Sequence, residues 1–242
     1  MMTKQNKEQS KRFIVIEGLD GAGKSTQIKL LNQVLEERCI LHQYLHFPQT
    51  DNLADSPIFG AMVADFLKGE YGQANQVNPY LVALLYAGDR HNAKVKINQW
   101  LEKECFVVLD RYVYSNIAFQ GAKCFTIEEK QKLKQWILHL EYQYYQIPEP
   151  SLSIFLHMNF QFISQKLKDA RLGADREYLS GKQDIHESSL ELQRNVELEY
   201  LRLVQEDQNF YLIDCCDNIG TTLPPEKIHH KILALLKEKG LL

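Results

Sequence analysis

Residues 18 to 25, Gly18-Leu19-Asp20-Gly21-Ala22-Gly23-Lys24-Ser25, match the spacing G-x-x-x-x-G-K-[ST]. In such a loop the glycines let backbone N–H groups ring a polyphosphate, the lysine reaches the β and γ phosphates, and the hydroxyl ligates Mg²⁺. A short β-branched run, Phe13 to Ile16, precedes the motif, and Ile28, Leu31 and Leu35 follow it at helical spacing. The loop would therefore join a buried strand to the N-terminus of a helix, whose dipole favours anions. Gly18 through Thr26 are the candidate nucleotide-phosphate site, with Lys24 a candidate catalytic residue, and the loop by itself fits a switch GTPase, a motor ATPase or a small-molecule kinase.

A second cluster lies at the end of the segment CFVVLD, Cys105 to Asp110, where Arg111 and Tyr112 follow a carboxylate directly. Asp110 and Ser25 are the candidate Mg²⁺ ligands. An arginine beside that carboxylate would hold cationic charge where a second phosphate can sit, which favours phosphoryl transfer to an acceptor that is itself phosphorylated. The plainer alternative for a loop arginine is an ion pair with a surface carboxylate. The guanine-reading pattern N-K-x-D does not occur.

The elements that must position these groups alternate along the chain. Further strands fit Ile40 to Phe47, ending at Pro48, then Cys105 to Asp110, Leu152 to His157 and Phe210 to Asp214. The stretch after Pro48 reads as loop and short helix to about Gly72. A long helix over Pro79 to Lys103 places Gly88 where something approaches closely. Thr126 with Glu129 forms a capping box ahead of Leu133, Trp136, Ile137 and Leu140. Leu192, Val196, Tyr200 and Leu203 share a helix face, and Pro224-Pro225 opens a closing helix with Ile228, Ile232, Leu235 and Leu236 as its buried stripe. Between them the polar, glycine-bearing segment ARLGADREYLSGKQDIHE reads as a mobile cover. Strand and helix in alternation imply an α/β fold with parallel pairing.

Composition narrows the partners. The 242 residues carry 28 Lys and Arg against 31 Asp and Glu, a net charge of −3, so no global field draws the chain to nucleic acid. Five cysteines, an odd number without C-x-x-C spacing, indicate neither a disulfide framework nor a zinc ribbon, and point to the reducing cytoplasm. The opening MMTKQNKEQSKR has no apolar core, and the apolar run around PYLVALLYAG is too short for a membrane span. A flexible N-terminus over 1–12 and one domain over 13–242 are expected. His186-Glu187 lacks the second histidine of a zinc helix, since position 190 is Leu, and His229 and His230 are expected on a solvated surface.

The segments FIVIEGLDGAGKST, HFP, LLYAGDR, DRYVYSNIAFQGAK and ADREY occur in that order from residue 13 to about residue 214, and together they resemble the thymidylate kinase family. EG-x-D-x-x-GKST with DRY downstream is far more specific than a bare phosphate loop. The resemblance implies a P-loop NTPase three-layer fold, with a five-stranded parallel sheet flanked by helices and a mobile lid over about 171–184. It implies transfer of the γ-phosphoryl of Mg-ATP to dTMP, giving ADP and dTDP for dTTP synthesis, by a homodimer. On the same basis Asp20 meets the 3′-hydroxyl of dTMP, Phe47 and Tyr86 line the thymine site, and Arg90 faces the base or its phosphate. Arg111 holds the acceptor phosphate, Tyr112 crowds the 2′ carbon, and Ser115, Asn116 and Gln120 give polar contacts to the base.

Four residues, in three places, depart from the family pattern. Tyr86 stands where Phe is usual; Gln49 and Thr50 follow Phe-Pro where many members carry a phosphate-clamping arginine; and Gly21 stands where some carry arginine. The last resembles the subgroup whose catalytic arginine sits in the lid, for which Arg176 comes first and Arg171 second, with Lys182 a solvated lid charge. A monophosphate is already mostly dianionic at neutral pH, so the reaction needs positioning and charge neutralisation rather than a base. The rival readings are a deoxynucleoside kinase or a related pyrimidine monophosphate kinase, and, in another class, a nucleotide-sensing protein without turnover.

Overall fold

The computed structural model describes residues 12–51, 54–169 and 189–242. Five parallel strands, β1 (Phe13–Glu17), β2 (His42–His46), β3 (Phe106–Asp110), β4 (Leu152–His157) and β5 (Phe210–Asp214), form one sheet in the order β2-β3-β1-β4-β5. This is the expected P-loop architecture. β1 and β3 are buried along their whole length, as befits central strands covered on both faces, while β2 is half-exposed at the edge and shorter than the run from Ile40 to Phe47.

The flanking helices are α1 (Lys24–Glu37), α2 (Phe59–Leu67), α3 (Pro79–Glu102), α4 (Val113–Gly121), α5 (Ile127–Leu138), α6 (Phe160–Asp169), α7 (Leu190–Glu206) and α8 (Pro225–Glu238). Side-chain caps fix three of their starts. Asn78 caps α3, accepting from the Tyr80 N–H, with Pro79 in the first turn. Thr126 and Glu129 form both halves of the capping box on α5, and Ser189 caps α7. Gly88 does lie at a close approach: a Cβ built there would stand 2.4 Å from the Phe59 ring, so α2 packs directly on the α3 backbone.

Three features differ from or lie beyond the sequence reading. α5 runs on into a π-helical turn, His139–Tyr144, which carries the fully buried Glu141. His229 is buried against the core rather than solvated, because it falls beside Ile228 and Ile232 on the inward face of α8; its ring is held below its ordinary pKa by burial and by His230. Leu235 is only partly buried.

The registers decide where chemistry can occur. Ile16 pairs with Asp110 across β1 and β3, and β1 has β3 on one side and β4 on the other, so the chain leaves β1 where the strand order reverses. Crevices beyond strand C-termini at such reversals are the ligand sites of open parallel sheets. The glycine loop after β1 and the Asp110-Arg111-Tyr112 turn after β3 both open into that crevice.

Candidate active site

The loop from Gly18 to Gly23 bends through glycines in positive φ, with Gly18 at 156°, Gly21 at 77° and Gly23 at 82°, conformations that side chains with a Cβ rarely adopt. Gly23 stands at the N-cap of α1, whose first turn carries no acidic residue, leaving its N–H groups and dipole to an anion. Lys24 is buried and its Nζ donates to the carbonyls of Leu19 (3.1 Å) and Gly18 (3.4 Å), folded back over its own loop. Burial and Arg111 push its ammonium below the ordinary pKa, against the pull of Asp110, Asp20 and Glu17.

Asp110 is 2% exposed, and its Oδ1 has no hydrogen-bond partner among the described residues. Burial alone would raise its carboxyl, but Lys24, His46 and Arg111 outweigh that and hold it below the usual carboxylate value. His46 Nδ1 lies 3.5 Å from the other oxygen. A buried, ionised and orphaned carboxylate oxygen beside a phosphate loop that ends in the exposed Ser25 is the donor set that suits Mg²⁺. That ion takes one or two protein oxygens and completes its shell with phosphate and water.

Arg111 adopts φ 66°, a left-handed conformation uncommon for a residue with a side chain. Glu17, the last residue of β1, holds it there. Its Oε1 accepts the N–H groups of Tyr112 (2.9 Å) and Ser115 (3.2 Å), capping α4 from a neighbouring strand, and its Oε2 accepts the hydroxyls of Ser115 (2.5 Å) and Tyr200 (3.0 Å). Burial raises the Glu17 pKa, and Ser115, Arg111, Tyr200 and Tyr112 all oppose the rise. The guanidinium so placed donates to Asp20 Oδ1 (2.6 Å) and Ser115 Oγ (3.2 Å) and lies over the Phe119 ring at 5.2 Å. Against the cost of burial, Asp20 and the neighbouring charges keep it firmly protonated. Asp20 Oδ2 also accepts from Gln193 of α7 at 3.4 Å.

The remaining acceptor-side candidates gather on α3, α4 and the turn after β2. Phe47 and Tyr112 are buried with their rings tilted at 5.8 Å, and Tyr86 is half-buried on α3. The Phe47-Pro48 peptide is cis. Tyr112 donates its hydroxyl to the Pro148 carbonyl. Arg90, 1% exposed, is gripped by Glu141 through Nε (2.5 Å) and Nη2 (2.7 Å); burial opposes its charge and Glu141 restores it. Its fork is thus committed to a carboxylate within the wall. Asn116 and Gln120, one turn apart on α4, each keep one amide atom without a partner among the described residues, Oδ1 and Nε2 respectively.

The departures at Gln49 and Gly21 have physical counterparts. Gln49 is buried and tied to Asp89, its N–H donating to Oδ2 (2.9 Å) and its amide to the Asp89 carbonyl (3.3 Å), so this position braces α3 instead of presenting a cation. A Cβ at Gly21 would meet Lys166 Cβ at 3.3 Å, so α6 presses on the loop where an arginine would have to stand. Arg171, Arg176 and Lys182, and with them the lid over about 171–184, lie outside the described residues.

Sequence reasoning missed Glu17, Phe119, Glu141 and Gln193. A carboxylate closing an otherwise apolar strand was a signal for Glu17; nothing local marks the others, which meet the site only through tertiary packing. Cys215 behaves as expected of an inert thiol, pushed up to about 12 by burial.

The likeness to known proteins extends over the whole arrangement. A family model described as thymidylate kinase matches residues 16–232. A probable thymidylate kinase of Pyrococcus abyssi is 30% identical over 229 residues, covering 94% of this chain and 96% of that protein. The thymidylate kinase of Schizosaccharomyces pombe is 28% identical over 232 residues, covering 96% of this chain and 99% of the relative. The solved structure of a Candida albicans thymidylate kinase superposes with a TM-score of 0.69 over 95% of this chain and 92% of that one, at 23% identity, which speaks for the fold. The chain belongs to the thymidylate kinase family, and so to the ATP-dependent nucleoside monophosphate kinases.

Proposed function

We propose that this chain transfers the γ-phosphoryl of Mg-ATP to dTMP, with ATP held by Gly18–Thr26 and dTMP by the face made of Arg111, Tyr112, Phe47, Tyr86 and α4. The observation that carries the reading is the Arg111–Asp20 pair, which places a buried guanidinium against the phosphate loop itself. An incoming monophosphate takes the place of Asp20 on the guanidinium, freeing that carboxylate for the 3′-hydroxyl. Tyr112, fixed by Pro148, leaves little room at the 2′ carbon. Gln49 adds no second cation, so Arg111 is the principal acceptor clamp among the described residues.

The γ-phosphoryl moves in line between two anionic nucleotides, and the chain's task is to neutralise repulsion while excluding water. Lys24 leaves the Leu19 carbonyl for the β and γ phosphates. Arg176, or Arg171 in its stead, is the lid arginine that meets charge developing on the transferred group. Ser25 and Asp110 are the residues that would hold Mg²⁺, which would supply charge neutralisation at the phosphates. No general base is required of the protein. Asp110 is committed to the metal, and Glu17 is saturated by four donors. That disfavours an acceptor with a neutral hydroxyl, as in a deoxynucleoside kinase, and the complete set Lys24, Ser25 and Arg111 disfavours a sensor without turnover.

The reading includes one P-loop domain over 13–242, a homodimer, and a place in the cytoplasm; among the described residues no helix is long and apolar enough to cross a membrane. It is tested by ADP release under saturating Mg-ATP with dTMP, dUMP, dCMP, dGMP, UMP and thymidine as acceptors. Turnover with dTMP far above thymidine and UMP is expected; preference for thymidine would overturn it.

A further inference from the structure

We propose that Lys123 and Glu141 set the base specificity of the acceptor site by fixing the sense of two buried amides, an inference that rests on α4 facing the nucleobase as read above. Asn116 and Gln120 are 2% and 0% exposed and lie four residues apart on α4, hence on one helix face. Asn116 Nδ2 donates to the Ala83 carbonyl and to Glu141 Oε1, both at 3.0 Å, so its two amide hydrogens are spent and its Oδ1 is left over. Gln120 is spent the other way round. Its Oε1 accepts from Lys123 Nζ at 2.8 Å, and its Nε2 is left over.

Buried polar atoms without partners are costly and rare, so an orphaned acceptor and an orphaned donor on one face point to a ligand that satisfies both. An acceptor followed by a donor complements an edge with an N–H beside a carbonyl, the N3–H and C4=O of thymine or uracil. Cytosine presents the reverse, a bare N3 beside an amino group, and would meet acceptor with acceptor and donor with donor.

An amide can be turned end for end with almost no change of shape, so Asn and Gln do not by themselves choose between these edges. The choice lies with what holds them. A carboxylate can only accept and an ammonium can only donate, which forbids the flipped amide at each position; burial pushes Lys123 down to about 7, so its half of the lock holds below that pH. Glu141, fully buried on the π-helical turn, is pinned by two bonds from Arg90, and the Lys123 ammonium is steadied over the Phe66 ring at 5.1 Å. Neither touches the base; both are positioning residues.

Titration calorimetry of the full chain at about pH 6, where Lys123 is an ammonium, with dTMP, dUMP and dCMP tests this through the ratio of dissociation constants. Lys123→Glu replaces an obligate donor by an obligate acceptor, which would draw Gln120 Nε2 to itself and turn Oε1 to the ligand. The preference for dTMP over dCMP is expected to fall about tenfold or more, with the dTMP to dUMP ratio unchanged. Lys123→Met, which keeps an apolar chain on Phe66, and Glu141→Gln are expected to lower the same preference by smaller factors. If Lys123→Glu and Lys123→Met weaken all three nucleotides in step, the amide lock is refuted. Asn116→Ala separates the two levels: its loss of preference with the lysine variants unaffected sinks only the lock, whereas an unchanged preference in Asn116→Ala sinks the base-facing reading as well.

Discussion

On the side of the crevice proposed for ATP the groups on offer are backbone amides and one lysine, all within residues 18–26, and the lysine rests on its own loop's carbonyls. On the side proposed for dTMP both arginines are already engaged by a carboxylate from another element, Arg111 by Asp20 and Arg90 by Glu141. The first site needs only its loop to be folded. The second must exchange one partner for another when its ligand arrives, so its affinity is the difference between two ion pairs and its geometry depends on distant residues.

That contrast can be broken most severely at the two cations themselves. Lys24→Ala and Arg111→Ala are each expected to lower turnover by about a thousandfold or more, by loss of electrostatic stabilisation in a site shielded from water. Steady-state kinetics with both substrates varied checks this, and the Arg111 variant should lose dTMP affinity while keeping ATP affinity. Glu17→Gln acts one step further back. Its amide group faces donors in place of one carboxylate oxygen, at a cost of about 1–3 kcal/mol in stability by denaturant titration. KM for dTMP should then rise well above any change in KM for ATP, because Glu17 holds the turn that carries Arg111; equal changes would show that the two sides share one support.

Packing under the acceptor side gives a smaller effect. Gly88→Ala drives a Cβ into the Phe59 ring and is expected to destabilise the protein by about 1–3 kcal/mol, with Phe59→Ala in the same chain restoring part of the loss. The smallest is a pH effect. Because Lys24, His46 and Arg111 overcome burial to lower the Asp110 pKa, its contribution to stability is complete above the ordinary value of 3.8 and is lost as pH falls through the lower folded value. Asp110→Asn should therefore flatten the acid branch of a plot of Tm against pH while leaving its neutral part with nearly the same slope.

Legibility follows the same division. The strands, the capping box at Thr126 and Glu129, and the close approach at Gly88 were readable because each is written in neighbouring residues: apolar runs, a cap three residues from its partner, a glycine inside a helix. The phosphate loop was readable for the same reason. Tyr112, Asn116 and Gln120 were placed by likeness to a family, yet which of their atoms are used and which are spare came only from the structure. Arg90 was expected to face the nucleotide, and what grips it is Glu141, a residue with no local mark of its own.

By itself the sequence determined that backbone N–H groups would converge after β1 and that a carboxylate and an arginine would end β3, since glycine torsions and strand ends are local properties of the chain. Only the tertiary structure decided that Arg111 is held by Asp20 and its turn by Glu17, that Gln49 braces Asp89, and that Asn116 and Gln120 show opposite ends of their amides. The physical reason is that charge pairing and hydrogen-bond sense depend on distances across elements far apart in the chain, and these are set by the packing of the sheet and its helices rather than by any residue's neighbours.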